Sequence, residues 1–579
     1  MAIAIALGEV ALQFFLLLLT FLGWGEVLAS WHWTPDRRRR FHHLERTLLG
    51  LCGFTIFLLI AIYLNIPLKY SAWAALAVAV VGLGMGLGGS HRKWTAEEGL
   101  GLSVFTLVFL LQGLPLFYAG PGNYFASGHI DHYLYVNTGQ FLVEKPIGLS
   151  PSAGRDEPWL QEPYTFLRER LGQDMPIGYL AVLLRVDTAR AFGVVSIFFI
   201  AFLSLTVFAC LRQLNLSRPI AWTFAVWLGV SNGITYSSTT SFLANSAVLF
   251  VLPSLTFLLW SRRHDLYSLR LAPALLLSYA FMTYTELFPW IAMGFLVMWL
   301  TLANWRDLRL WRLLGVNALV SLLFVGLFVP RMIFAVSQIY RYTFNIIPQW
   351  QEFMSNQSGT WRGWRQLFFA TIDSRSFPWI NALTLTLAIS FSLLILWSLW
   401  IHRQTKSRYL TAIAGLIAFW PLLLLAMPTF KHYIFFKIVT TFLPLFFILL
   451  ACAWARLDLS VNVWRLPRWI ILAGCVLASL LSSALVWKNM IQRNDSLPQN
   501  TSTMRAIYDE VRQHPEKTYY VTDADPFRTG WIAYYARRSR VVLAPGVTIT
   551  WGFPADPHAK PPMPPYTVLN GEHLPYEVK

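Results

Sequence analysis

The sequence predicts a mainly α-helical, polytopic membrane protein with a small α/β domain at its C-terminal end. Three observations predict it. Hydrophobic residues make up 56% of the 579-residue chain and charged residues only 13%, about half the charged share of a soluble domain. Apolar runs of about 18 to 23 residues recur, bounded by basic clusters, which is the length that crosses a bilayer as helix. From residue 489 onward the long apolar runs stop and shorter amphipathic and alternating segments take over.

Spans are expected at 5–29, 47–65, 72–90, 99–118, 189–211, 217–232, 241–260, 269–284, 287–304, 313–334, 379–401, 409–427, 437–455 and 468–487, about fourteen helices. The N-terminus lacks a basic n-region, so the first run is read as a retained helix. Residues 1–98 form an N-terminal set of helices, 99–488 a core, and 489–579 the C-terminal domain. In that last domain "TMRAIYDEVRQH" and "DPFRTGWIAYYARR" read as helices, and "KTYYVTD" and "SRVVLAPG" as strands.

A net charge of +17 invites a nucleic-acid partner, but the placement of the charge excludes one. The segments 37–46, 91–93, 261–270, 306–312, 402–408 and 456–468 are short, basic and lie between apolar runs. With this number of spans all six fall on one side, the cytoplasmic side under the positive-inside rule. Both termini and three long segments, 119–188, 335–378 and 488–579, then lie outside. Cys52, Cys210, Cys452 and Cys475 sit in apolar runs with no CxxC spacing, so neither a disulfide framework nor a zinc site is read.

The outer segment "GHIDHYLYVNTGQFLVE" places Asp131 at the start of a helical pattern. A carboxylate there is favoured in its ionised form by the positive end of the helix. It suits a general base as well as an N-cap. His129 and His132 flank it and supply metal-ligand types, but no companion ligand motif accompanies them. Glu286, in the turn of "YTELFPW", is an ionisable group near membrane depth, where charge is costly and tends to mark function. Arg331 and the "KHYIFFK" group of Lys431, His432 and Lys437 put cations at outer span ends, against the general trend. Phosphate is their natural partner; lone arginines there also snorkel to headgroups.

Taken together, "IDHYLYVNTGQFLVE", "YTELFP" and "HYIFFKIVTTFLP" resemble elements of the GT-C class of membrane glycosyltransferases. The resemblance covers architecture from about residue 99 onward, and its motifs are short. It implies an inverting transfer of a sugar from a polyprenyl-phosphate-linked donor to a glycan, lipid or protein acceptor on the outer face. Asp131 stands at the place of the family's acid, Glu286 in its Tyr-x-Glu turn and Lys437 at its late span. His132, Tyr135, Lys431, His432, Lys437 and Arg331 are the expected substrate-binding residues. The acid is single rather than paired, so no cofactor is expected, with a divalent metal on His129, Asp131 and His132 as the minor alternative. The expected location is the bacterial inner membrane. A multi-pass transporter, flippase or polymerase of lipid-linked glycans is the competing reading.

Overall fold

The structure is a computed structural model. It describes residues 2–32, 41–88, 94–125, 130–148, 157–160, 171–239, 243–303, 306–326, 337, 386–387, 389–397, 409–417, 432–457, 465–549 and 561–578. Among these residues, seven helices are long and apolar enough to cross a membrane. Four shorter apolar helices, Asp174–Leu184, Ala272–Thr283, Phe288–Leu302 and Thr440–Arg456, accompany them. The architecture is therefore a helical membrane bundle with a small C-terminal sheet. The expected spans 379–401 and 409–427 lie largely outside the described residues.

The first three helices, Ala2–His32, His42–Tyr63 and Leu68–Gly88, cross at glycines. A Cβ on Gly50 would strike the backbone oxygen of Phe21, and one on Gly82 the oxygen of Gly23. Lipid offers helices no hydrophobic gain for associating, so small residues that let backbones touch drive the packing. Helix Thr188–Gln213 runs through the centre and is buried on all sides. From Ala191 to Leu211 it is apolar on all faces apart from Ser196, Ser204 and Thr206, as an enclosed helix requires.

Ion pairs tie the helix ends into two sets. At one end Glu97 accepts from Arg212 at 2.7 Å and from Arg218 at 2.9 Å. Arg262 pairs with Glu45 at 3.2 Å, and Arg46 pairs with Glu26. The basic segments around 46 and 262 thus share one end of the bundle, as expected. Asn317 donates to the backbone of Arg270 at 2.8 Å, which brings the 306–312 segment alongside. At the other end Glu9 holds Arg190, with Arg190 Nε at 2.9 Å. There too Asn494, near the end of helix Arg465–Ser496, accepts from the backbone of Phe125 at 2.8 Å.

Two expectations differ from the structure. Span 217–232 is the shorter helix Arg218–Gly229, and a separate helix, Asn232–Thr239, follows it between the expected spans, with its buried Thr235 bonded to Ser483 at 3.0 Å. Segment 119–188 holds a second helix besides the expected one, Ile130–Glu144: helix Asp174–Leu184 also lies within it. The second packs into the bundle, where Tyr179 shares a hydrogen bond with Thr20 at 2.7 Å.

The C-terminal domain has a four-stranded sheet. Strand β1 (Thr518–Val521) pairs in parallel with β2 (Arg540–Leu543) and with β3 (Tyr566–Asn570). Strand β4 (His573–Val578) closes the edge antiparallel to β3. Helix Pro526–Tyr535 connects β1 to β2, its start capped by the Asp525 carboxylate on the amides of Phe527 and Arg528. That is the parallel crossover in which short strands alternate with helix.

Candidate functional site

Helix Ile130–Glu144 forms as the sequence suggests, with Asp131 in its first turn and half-buried. One wall beside it is helix Asp174–Leu184; a Cβ on Gly178 would lie 3.3 Å from Val143 and 3.5 Å from the oxygen of Gly139. The start of that wall is stitched to the turn that carries Glu286. The amides of Leu171 and Gly172 donate to the Met282 oxygen at 3.3 and 3.1 Å. Gly172 is required there, because a side chain would run into Thr283. Segment 171–184 therefore borders both the Asp131 helix and the Glu286 turn.

Lys437 closes the second part of the site. Its ammonium lies 5.0 Å from the ring centre of Tyr284, two residues before the half-buried Glu286. An ammonium over an aromatic face gains about 0.5 to 2 kcal/mol, which favours its place beside this turn. Glu286, Lys437 and the segment leading from the Asp131 helix are thereby gathered, although they are far apart in sequence.

Not every expected residue faces this site. His132 is 1% exposed, stacked on Phe192 at 4.1 Å and edge-on to Trp531 at 5.6 Å. Burial pushes its imidazole down to about 4, with the Phe125 backbone working in the opposite direction. Neutral His132 is a packing residue of the domain joint. Tyr135 is buried as well, stacked at 6.3 Å on Phe192. His432 opens helix His432–Arg456. His129, Arg331 and Lys431 lie outside the described residues. Among the described residues no group of three or more His, Cys, Asp or Glu side chains could hold a metal ion.

Two features were not anticipated. One is the docking of the C-terminal domain on the Asp131 helix. Trp531 sits at 5.0 Å from Phe125 and 5.2 Å from Tyr133, and a Cβ on Gly530 would come within 2.9 Å of the Tyr133 ring. Tyr534 shares a hydrogen bond with Thr188 at 2.9 Å. Arg537, 3% exposed, donates to Glu144 at 3.0 Å and also pairs with Asp187. Burial alone would raise the Asp187 carboxyl, but Arg537, Arg512 and Arg538 over-compensate and hold it below the usual range.

The other is a buried polar seam formed by Thr235, Ser237 and Asn245, from the stretch "SNGITYSSTTSFLANS", 231–246, in which ten of sixteen residues are Ser, Thr or Asn. Gln112 donates to Thr235 at 2.9 Å, and Thr235 bonds Ser483 at 3.0 Å. Asn245 donates to Ser237 at 3.2 Å and to Thr440 at 3.4 Å. A hydroxyl-rich run between apolar helices was the available signal, because such groups are buried only where other helices satisfy them.

No family model matches the chain, and no curated protein matches it.

Proposed function

We propose that this protein is an inverting glycosyltransferase of the bacterial inner membrane, drawing its sugar from a polyprenyl-phosphate donor on the outer face. The observation that carries the reading is that segment 171–184 borders both the C-terminal half of the Asp131 helix and the turn before Glu286, where Lys437 sits over Tyr284, at the end of the bundle away from the basic loops. In this reading the Asp131 carboxylate takes the proton of an acceptor hydroxyl as its oxygen attacks C1 of the sugar. The bond from C1 to the phosphate oxygen breaks and polyprenyl phosphate leaves as an anion. Lys437 compensates that charge, so the leaving group needs no proton. Glu286 orients sugar hydroxyls or assists the base. The acceptor is a glycan, lipid or protein.

A second reading, transport of a lipid-linked glycan, draws support from the short, polar helices Asn232–Thr239 and Leu243–Val248, since interrupted helices mark many transporter sites. One assay separates the two. Purified protein in lipid nanodiscs is supplied with polyprenyl-phosphate sugars and candidate acceptors, and free polyprenyl phosphate is measured. Transfer releases it, and Asp131→Asn abolishes the release; a transporter binds the donor and leaves it intact.

A further inference from the structure

The seam at 231–246 has no role in the reaction as drawn, yet it leaves a polar group buried without a partner. Asn245 is 1% exposed. Its Nδ2 serves Ser237 and Thr440, while its Oδ1 has no hydrogen-bond partner. Turning the amide over does not remove the problem. Ser237 and Thr440 already donate to the backbone oxygens of Gly233 at 3.2 Å and Lys437 at 2.9 Å. If both redirected their protons to Asn245 Oδ1, the amide nitrogen would be stranded instead. The adjacent Ser246 hydroxyl, 0% exposed, also has no partner. Buried polar groups are nearly always satisfied by protein, ordered water or a ligand, so these atoms call for a partner.

The location narrows the ligand. Thr440 lies one helical turn from Lys437 on the same helix, so the Asn245 amide borders the Lys437–Tyr284 site through a single side chain. Asn245 and Ser246 carry no charge, which suits neither phosphate nor a divalent ion as the direct ligand. A sugar hydroxyl both donates and accepts, and so satisfies whichever amide end is open. We propose that Asn245 reads a hydroxyl of the donor sugar and sets which sugar is accepted. This inference rests on the glycosyltransferase reading.

The test titrates polyprenyl-phosphate mannose, polyprenyl-phosphate glucose and sugar-free polyprenyl phosphate into nanodisc-held wild type, Asn245→Ala and Asn245→Ser. The expected result is about tenfold weaker binding of at least one sugar-bearing lipid in both variants. Binding of the sugar-free lipid stays within about twofold, which also reports an intact fold. Unchanged binding of all three lipids overturns the proposal, as does equal weakening of all three in both variants. Wild type that binds none of the lipids overturns the donor reading itself, a result distinct from either of those.

Discussion

Arg537 donates to Glu144 at 3.0 Å and so ties the turn that follows helix Pro526–Tyr535 to the last turn of helix Ile130–Glu144, which carries Asp131 near its start. The same guanidinium pairs with Asp187, which precedes the central helix Thr188–Gln213. One side chain thus joins the C-terminal domain, the Asp131 helix and the middle of the bundle.

Replacing Arg537 by Met should loosen that joint. It leaves the partly buried Glu144 and Asp187 without their shared cation, at a cost of about 2 kcal/mol, less than for a fully buried pair because both acids keep some water. Limited proteolysis in nanodiscs should then cut between the bundle and residues 502–578 faster than in wild type. Equal cleavage rates would mean that the aromatic contacts alone hold the domain.

Gly530→Ala should destabilise, although alanine is the better helix former by about 1 kcal/mol. The added methyl meets the Tyr133 ring at 2.9 Å, and that ring is fully buried behind Trp531, so it cannot swing aside. Overpacking of this kind costs about 1 to 3 kcal/mol. The thermal midpoint should fall, and trimming Tyr133 to Leu in the same chain should restore it.

Stability should fall between neutral and mildly acidic pH. Folded His132 titrates at about 4, below the value near 6.5 of an unfolded chain. The unfolded state therefore binds more protons in that interval. The contribution is whole above about pH 6.5 and is lost as pH falls toward 4, on the order of 3 kcal/mol at its limit. Asp187, held low by its arginines, adds a further loss only below about pH 4. Thermal midpoints at about pH 7.5 and 5 should differ for wild type and much less for His132→Gln.

Gly50→Ala should disturb the first three helices while Gly8→Ala should not. A methyl at Gly50 has the backbone of Phe21 in its way, whereas nothing lies within 4 Å of one at Gly8. Backbone cannot move aside as a flexible side chain does, so Gly50→Ala should lower the thermal midpoint clearly. A similar midpoint for the two variants would remove close helix crossing as the basis of this packing.

Much of this was legible in the chain. Run length and low charge pick out helices long and apolar enough to cross a membrane, seven among the described residues against about fourteen expected, and the basic segments around residues 46, 262 and 306–312 do gather at one end of the bundle. The helix beginning at Asp131 and the α/β character of the C-terminal domain follow from local period and composition. Helix Asp174–Leu184 was not legible, since eleven residues are too few to read as a span. Nor was the burial of His132, which a surface helix with alternating polar residues gives no reason to expect.

The sequence by itself determined most of the long helices, the first two strands of the C-terminal sheet and which end of each apolar run carries the cations, because those depend on local composition and period; strands β3 and β4 and helix Asp174–Leu184 came only with the structure. Only the tertiary structure decided that Arg537 meets Glu144 and Asp187, that Gly172 closes against Thr283, and that Lys437 rests over Tyr284. Those contacts join residues up to several hundred positions apart. They depend on side-chain direction and close backbone approach, and hydropathy along one chain carries neither.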